Sequence, residues 1–211
     1  MDQGCIGDSV VLYIFVRDSS LTVVKTIAKL NGLFADFSAK PLEDQPGNGF
    51  HINISVKASD GTDTMNYLIA GILDKISDMT VFLNPTKNSY HRFGIHKAPR
   101  YISWSSENRS QLVRVPAATG KYRRAELRSP DPSANTYLAF ALIIYAILDG
   151  IQNKLELPAP ADINLYKAEE STLAKFRQLP EDFHSACSVA ATSNFIKKHI
   201  PNTILDIYCK Q

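Results

Sequence analysis

Apolar residues in this chain follow two different spacings, and this difference limits the fold more than any other feature. In residues 50–56, apolar and polar side chains alternate, which is the period of a β-strand. From Ser133 to about Lys154, apolar residues recur every three or four positions, which is the spacing of a helix. Alternating stretches lie early in the chain and helical ones late. We therefore predict an α+β fold.

The same patterns locate the other elements. Helical spacing predicts one helix over residues 21–30, ended by Asn31-Gly32, and another over residues 65–82. Residues 33–39 alternate and predict a strand after the first helix. Three later stretches also predict strands: RYISWS, SQLVRVP and KYRRAELRSP.

We divide the chain into an N-terminal segment and one domain. Residues 1–20 contain VVLYIFV, which fits a buried strand or the start of a helix, with a slight preference for helix. Residues 21–211 form the domain, with a strand-rich part over 33–128 and a helical part over 133–211.

Charge and cysteine content exclude several classes of protein. The formal net charge is only +2, and no run of five Lys or Arg residues occurs, so we expect neither nucleic acid nor a membrane as a partner. The most apolar stretch, Leu138–Leu148, has about half the length that spans a bilayer. The three cysteines have no CxxC spacing, which predicts a reducing, cytoplasmic location.

The arginines are concentrated in one part of the chain. Seven of the nine lie between residues 92 and 128, where Glu107 and Glu126 are the only acidic residues. Arginine pairs well with carboxylates and phosphates, which makes an anionic ligand one interpretation. The other is a set of solvated strand faces that pair with distant acids.

Three further features fit either a site or ordinary structure. Arg124, Glu126 and Arg128 share one strand face, so Glu126 is either a structural ion-pair centre or a ligand for a hard cation. His51 lies on the polar face of its strand and is either a structural histidine or a ligand. The Gly47-x-Gly49 loop allows a ligand to approach the backbone, although this motif is weak by itself.

Four motifs in order resemble the glutamine synthetase family. They span most of the chain from about Leu21 to Tyr208. The motifs are KPLEDQPGNGFHINIS, LNPTKNSYHRFG, NRSQLVRVPAATG and YRRAELRSPDPSANTYLAFALIIYAILDGIQNKL.

This resemblance implies a fold and a reaction. The fold would be the antiparallel-strand barrel portion of the glutamine synthetase (guanidino kinase-like) catalytic domain, flanked by helices and with a helical C-terminus. The reaction would join ammonia to glutamate through a γ-glutamyl phosphate, with ATP as substrate and Mg²⁺ or Mn²⁺ as cofactor.

The resemblance also implies residue roles. The metal histidine matches His51, and the carboxylate that shares that metal matches Glu126. For glutamate, the α-carboxylate arginine matches Arg92 and the loop backbone matches Gly47. The remaining roles are of two kinds. Catalytic contacts with the phosphates and with the transferring phosphoryl group match Arg109, Arg114 and Arg128. Nucleotide contacts match Asn53, Ser55, Arg114 and Arg124.

The chain departs from the family pattern in several places. An N-terminal β-grasp domain and the first metal-ligand strands have no counterpart, so the resemblance covers the C-terminal part of the catalytic domain and predicts weak metal affinity. Pro46 stands where Asn is frequent, and Asn53 where many members have His. Lys97 stands where many members have a Glu that handles ammonia.

Three functions remain open at this point. The first is a glutamate–ammonia ligase, and the second is a γ-glutamyl-amine ligase of the same superfamily, which Lys97 favours. The third is a non-catalytic fragment that assembles with other subunits. For any activity we expect a homo-oligomer or a complementary synthetase chain.

Overall fold

The computed structural model describes residues 9–11, 17–57, 61–95, 97–118 and 122–210. Five strands are assigned in these ranges: β1 (Ser9–Val11), β2 (Ile52–Lys57), β3 (Trp104–Ser105), β4 (Val113–Arg114) and β5 (Ala125–Leu127). Eight helices accompany them: α1 (Arg17–Leu30), α2 (Met65–Leu83), α3 (Lys87–Tyr90), α4 (Thr136–Gln152), α5 (Glu170–Leu173), α6 (Phe183–Thr192), α7 (Asn194–His199) and α8 (Asn202–Cys209). The predicted α+β class is confirmed.

The strands form one sheet in the order β1-β2-β5-β4-β3. Strand β2 runs antiparallel to β1 and to β5, and β5 runs antiparallel to β4. Strands β3 and β4 are parallel, so an all-antiparallel arrangement is wrong for this pair. Within the described ranges the sheet stays open between β1 and β3, so the predicted barrel is not confirmed. Five short strands, two of them with only two residues, do not close on themselves.

Strand β2 separates the core from the polar face as its alternation predicts. Ile52 and Ile54 are buried in the core, whereas His51 is exposed. On β5, Ala125 and Leu127 are likewise buried on the core side. The helices cover this apolar face and leave the other for a polar site.

Helices α2 and α4 cross at two glycines. A Cβ on Gly71 would collide with the Ala146 carbonyl oxygen and lie 3.0 Å from the Gly150 Cα. A Cβ on Gly150 would collide with the Tyr67 carbonyl oxygen. Only glycine permits this approach of the two backbones. The crossing makes α2 and α4 the centre of the apolar core.

The C-terminal helices α6 and α7 also pack against α2. Asp182 caps α6 by accepting a hydrogen bond from the Ser185 amide, and Ser193 caps α7 by accepting one from the Ile196 amide. Between them, the Ser193 hydroxyl donates to Asp78 on α2. These contacts hold the helical part against the sheet-covering helices.

The start of one helix differs from the prediction, which began the helical spacing at Ser133. Helix α4 is capped by Asn135, whose side chain accepts hydrogen bonds from the Tyr137 and Leu138 amides, so Ser133 lies before the helix. The Ser133 amide instead donates to Asp131 in the turn before the helix. Both residues are good cap types, and only the path of the preceding turn separates them.

Residues 33–39 do not form the predicted strand. The Ser38 amide donates to the Asp36 side chain, and the Asn48 side chain donates to the Ser38 carbonyl, which makes this segment a turn-containing loop. In the described part of the structure, no residue of this segment pairs with a strand. The preceding helix α1 starts at Arg17 and confirms the helix predicted from residue 21, whereas Ser9–Val11 are a strand and not part of a helix. The rest of residues 1–16 lies outside the described ranges.

Among the described residues, none of the helices combines the length and the apolar content that crossing a bilayer would require.

Candidate active site on the polar face of the sheet

The carboxylate of Glu126 is the centre of a charged cluster on the polar face. His51 Nδ1 lies 3.1 Å from Glu126 Oε1, and Arg114 Nε lies 2.8 Å from Oε2. Arg128 donates a hydrogen bond of 3.2 Å to the same Oε2. Strands β2, β4 and β5 are neighbours in the sheet and bring these residues together. One carboxylate thus contacts two guanidinium groups and one imidazole.

These contacts keep Glu126 ionised. Burial alone would raise the pKa of Glu126, but the His51 hydrogen bond and the charges of Arg128, His51 and Arg114 outweigh it and lower this pKa to about 2. The carboxylate therefore carries its full charge near neutral pH. Its negative charge attracts cations, both charged side chains and metal ions.

The arginines around Glu126 retain unused donors. The Nε atoms of Arg92, Arg114 and Arg128 are buried without a hydrogen-bond partner. For Arg114 this holds although Nε lies 2.8 Å from Glu126 Oε2, because the contact is an ion pair without hydrogen-bond alignment. Buried donors are usually satisfied. The three side chains that carry these donors line one cavity.

Arg92 is held under the glycine-rich loop. Its side chain is only 3% exposed, and its guanidinium donates to the Ser129 carbonyl and lies 3.9 Å from Asp131. Burial lowers the pKa of Arg92, and the charge of Asp131 opposes this effect. A Cβ on Gly47 would lie 2.7 Å from the Arg92 Cγ, so only glycine lets the loop pass over this side chain. The predicted pair Gly47 and Arg92 is therefore in direct proximity.

One cavity of about 340 Å³ joins most of the predicted site residues. Seven of them line it: Gly47, His51, Arg92, Arg109, Arg114, Glu126 and Arg128. The other lining residues are Pro46, Gly49, Ile95, Lys97 and Ala98. Four of the seven clustered arginines therefore line a concave site. Two others, Arg100 and Arg123, pair with the distant acids Glu181 and Asp63, as the second interpretation predicts.

The three remaining predicted residues lie beside the cavity and do not line it. Arg124 Nε donates a 3.0 Å hydrogen bond to the Asn53 side chain. Asn53 is the register partner of Glu126, and Ser55 lies two residues farther along β2. Asn53, Ser55 and Arg124 thus extend the polar face past Glu126.

The cavity also contains residues to which we assigned no role in a site. Ile95 and Ala98 were missed because apolar residues in a loop have no distinctive spacing. Lys97 and Pro46 were noted only as departures from the family pattern. Gly94 has a φ of 77°, a conformation that favours glycine. It forms the turn that brings the segment with Ile95 and Lys97 to the cavity.

The ligands available for a metal are few. Among the described residues there is no group of three or more His, Cys, Asp or Glu side chains that would hold an ion. His51 and Glu126 alone are adjacent at the cavity. The metal role of His51 and Glu126 stays a prediction, and two ligands would leave the other coordination positions to further donors.

Comparison with known proteins identifies the family. The model of the glutamine synthetase catalytic domain matches residues 19–211. The chain belongs to the glutamine synthetase family. The family resemblance predicted from the four motifs is confirmed.

Curated glutamine synthetases are similar over most of the chain. The enzyme of Pyrococcus horikoshii is 40% identical over 188 residues, which cover 83% of this chain and 42% of that protein. The enzyme of Staphylococcus epidermidis is 41% identical over 197 residues, which cover 86% of this chain and 44% of that protein. The chain spans less than half the length of these relatives.

Solved structures of GmaS have the same fold. A GmaS complex with ADP superposes with a TM-score of 0.79 at 29% identity and covers 90% of this chain and 47% of that chain. Ligand-free GmaS also has a TM-score of 0.79, at 28% identity, over 91% of this chain and 48% of that chain.

Proposed function

We propose that this chain is the C-terminal catalytic part of a glutamine synthetase, which joins ammonia to glutamate with ATP through a γ-glutamyl phosphate. One observation carries the proposal. Side chains from four separate sequence stretches converge on one cavity that four arginines line, and two of these, Arg114 and Arg128, contact a single ionised carboxylate. Glutamate and the phosphates of ATP are the anions that such a cavity would neutralise.

We assign glutamate to the Arg92 side of the cavity. The Arg92 Nε has no hydrogen-bond partner, and NH2 would lie 3.4 Å from a Cβ on Gly49, so this guanidinium faces the glycine loop. A carboxylate bound there would accept from Arg92, and the backbone at Gly47 would contact the rest of the amino acid. Because Arg92 is buried, its position is held before the substrate arrives.

We assign the phosphates to Arg109, Arg114 and Arg128. Phosphoryl transfer spreads negative charge over the transferred group, and preorganised cations stabilise that charge without reorganisation. Arg128 is fixed by its hydrogen bond to Glu126, and its side chain lines the cavity where the transferring phosphoryl group would bind. Arg114 is fixed by the same carboxylate.

His51 and Glu126 fit one part of a divalent-metal shell. Adjacent ligands of an octahedral ion with bonds of about 2.1 Å are about 3 Å apart. The observed separation between His51 Nδ1 and Glu126 Oε1 is 3.1 Å. Bound Mg²⁺ or Mn²⁺ would screen the charge of the phosphates during transfer. Each of the two Glu126 oxygens accepts more than one partner. Glu126 would therefore bind the metal and keep part of its ion pairing with the arginines.

The nucleotide would extend along β2 and β5 beyond Glu126. Asn53, Ser55 and Arg124 lie on this continuation of the polar face. The similar GmaS structure was solved with ADP, which supports a nucleotide site in the shared fold. Free thiols of Cys187 and Cys209 suit a cytoplasmic location, where ATP is available.

Completion of the site requires further strands and metal ligands. We propose that the open sheet belongs to an antiparallel-strand barrel, completed by another part of a synthetase in a homo-oligomer or in a complementary chain. The open edges of β1 and β3 are suited to such pairing. The complement would also supply the additional carboxylates that a catalytic metal needs.

A second candidate is a γ-glutamyl-amine ligase. Lys97 lines the cavity, and its positive charge would repel an ammonium ion and an alkylammonium ion alike, so the difference between the acceptors rests on apolar contacts. An amine with an apolar substituent would gain contacts with Ile95 and Ala98. This candidate shares the glutamate and phosphate sites and differs only in the acceptor.

The test combines calorimetric titration with ATP and Mg²⁺ or Mn²⁺ and an assay of glutamate-dependent phosphate release, with ammonia and with methylamine. We expect saturable, metal-dependent ATP binding that is lost in Arg114→Ala and Glu126→Ala. Arg123→Ala is the matched control, because Arg123 pairs with exposed Asp63 and does not line the cavity.

The outcomes separate the candidates. Turnover with ammonia supports the glutamine synthetase, and turnover only with methylamine supports the amine ligase. ATP binding without turnover, followed by turnover after addition of a complementary synthetase chain, supports the shared site. Neither binding nor turnover in any of these mixtures would overturn the catalytic proposal and leave the non-catalytic fragment.

A further inference from the structure

The proposed function gives an anion to four of the five Lys and Arg side chains that line the cavity. Arg92 would bind glutamate, and Arg109, Arg114 and Arg128 would bind phosphates. The fifth cation is Lys97. Within the described ranges Lys97 takes part in no ion pair. Its charge therefore has neither a protein partner there nor an assigned ligand.

Lys97 belongs to a short turn that the fold holds in place. The Gly94 amide donates a hydrogen bond to the Ala98 carbonyl, and Phe93 pairs with Ala98 at the base of the turn. Phe93 and Ala98 are buried, whereas Lys97 is exposed and lines the cavity. The backbone at Lys97 is thus fixed, and its flexible side chain is available to a ligand.

This turn places Lys97 at the end of the cavity that we assign to glutamate. The turn starts at Arg92, whose carbonyl accepts a hydrogen bond from the Ile95 amide. Arg92 lies under the glycine-rich loop, where a Cβ on Gly47 would be 2.7 Å from its Cγ. The phosphate-binding arginines instead come from β4 and from segments beside β4 and β5. An acceptor that approaches the bound glutamate is therefore within reach of Lys97.

The charge of Lys97 affects which acceptors the cavity favours. An ammonium or alkylammonium ion has a net positive charge, and Lys97 repels it. An amino acid carries a carboxylate beside its amine, so its net charge is zero and its carboxylate accepts hydrogen bonds from a lysine. Ile95 and Ala98 line the cavity beside Lys97 and would contact the carbon chain between these two groups.

We propose that Lys97 determines acceptor specificity and selects an amino acid as the amine substrate. The substrate class is a primary amine with a carboxylate on its carbon chain, and the product is a γ-glutamyl amino acid. This inference rests on the proposed function in its amine-ligase form, because it uses the same glutamate and phosphate sites.

The reaction differs from glutamine synthesis only in the acceptor. The lone pair of the deprotonated amine forms a bond with the γ-carbonyl carbon of γ-glutamyl phosphate. The bond from this carbon to the phosphate oxygen breaks, and the phosphate leaves with the electron pair and takes up the surplus proton of the amine. Lys97 touches only the acceptor carboxylate, so it changes the choice of substrate and not these steps.

Two ligands that differ in one group isolate the effect of Lys97. γ-Glutamyl-β-alanine and γ-glutamyl-propylamide have the same glutamyl part and the same chain length, and only the first ends in a carboxylate. Calorimetric titration in low-salt buffer measures the affinity of the full chain for each, as wild type, Lys97→Gln and Lys97→Glu. Lys198→Gln is the matched control, because Lys198 is an exposed lysine on α7 and does not line the cavity. Circular dichroism verifies that each variant is folded.

We expect the wild type to bind γ-glutamyl-β-alanine roughly tenfold more tightly than the propylamide, because Lys97 forms a charge-assisted hydrogen bond with the carboxylate alone. Lys97→Gln should bind the two ligands about equally, and Lys97→Glu should prefer the propylamide. The control should keep the wild-type preference, and added salt should reduce it. Free glutamate should displace both ligands, since all three use the glutamate site.

The outcomes separate this inference from the proposed function. If glutamate displaces both ligands but the wild type binds them equally, the glutamate site stands and the role of Lys97 is overturned. A preference that Lys97→Gln retains overturns that role as well. If neither ligand nor glutamate binds, the glutamate site is wrong and the inference falls with it. Phosphate release with ammonia but not with β-alanine would overturn the amino-acid acceptor and leave the glutamine synthetase standing.

Discussion

Helices α1 and α2 bury very different shares of their apolar side chains. Thirteen residues of α2, from Met65 to Leu83, are buried, and Ile72 has no exposed surface. On α1, Val23, Val24, Ile27 and Leu30 remain exposed, with Ile27 at 55%. Both helices have apolar residues at helical spacing. The difference therefore arises from their surroundings, because α4 covers α2 whereas no described element covers this face of α1.

The exposed surface continues beyond α1. Of the 13 large apolar side chains that are exposed in the described ranges, seven lie between residues 23 and 42. Phe34, in the loop that lacks the predicted strand, is 89% exposed. Residues 23–42 therefore carry more than half of these exposed side chains. The contrast with α2 separates a helix whose apolar face is covered by a described element from one whose apolar residues stay exposed.

Matched alanine substitutions test this contrast with the largest expected effect. Ile72→Ala leaves a cavity in the core and should lower the free energy of unfolding by about 3–4 kcal/mol. Ile27→Ala removes a largely exposed side chain and should change it by about 0.5 kcal/mol or less. Urea denaturation measures both. Similar losses in the two variants would mean that α1 is covered in solution.

A second pair of variants extends the contrast to ion pairs. Glu126→Gln removes the carboxylate from two arginines and should lower the free energy of unfolding by about 2–3 kcal/mol, because buried guanidinium groups lose their counter-charge. Asp63→Asn breaks the exposed pair with Arg123 and should cost less than about 1 kcal/mol. Chemical denaturation at neutral pH measures both losses. If Glu126→Gln lowered the free energy of unfolding no more than Asp63→Asn does, the cluster around Glu126 would not stabilise the fold.

The crossing of α2 and α4 predicts a smaller loss. In an exposed helix, Gly→Ala stabilises by about 1 kcal/mol. Gly71→Ala should instead destabilise by about 2 kcal/mol, because the new Cβ collides with the Ala146 carbonyl oxygen. The sign of the change in melting temperature decides between the two effects. A higher melting temperature would show that the helices are farther apart than described.

The smallest effect on stability is expected at the apolar surface itself. The double variant Ile27→Ser/Leu30→Ser should leave the free energy of unfolding nearly unchanged, since both side chains are exposed. Its self-association at high concentration, measured by light scattering after size exclusion, should decrease. Ile207→Ser is the control, because Ile207 is 68% exposed on α8 and lies outside residues 23–42. An equal decrease of self-association in the control would indicate that any exposed apolar side chain promotes it, and not this surface in particular.

Local sequence patterns predicted much of the fold correctly. Alternation over residues 50–56 located β2 and assigned its core face, and helical spacing located α2 within one residue of its observed end at Leu83. The failures have a common cause. The strand expected over residues 33–39 needs a neighbour, and the parallel pairing of β3 with β4 depends on the path of the chain between them.

The candidate site was predicted residue by residue, but its geometry was not. Alternation placed Arg124, Glu126 and Arg128 on one face, which the structure confirms. The family motifs indicated Arg92 and Arg114 without stating what holds them. Only the tertiary structure shows that Arg92 lies under Gly47 and that Lys97 lines the same cavity as Arg92 and Arg114.

The amino-acid pattern alone specifies the family, the α+β class and the polar and apolar faces of β2 and β5. These properties depend on side chains that are close in sequence or on motifs that are contiguous. Tertiary structure decides which surfaces find a partner, which cations share Glu126, and which remain free for a ligand. Such properties depend on contacts between residues far apart in the chain, and no local period encodes those contacts.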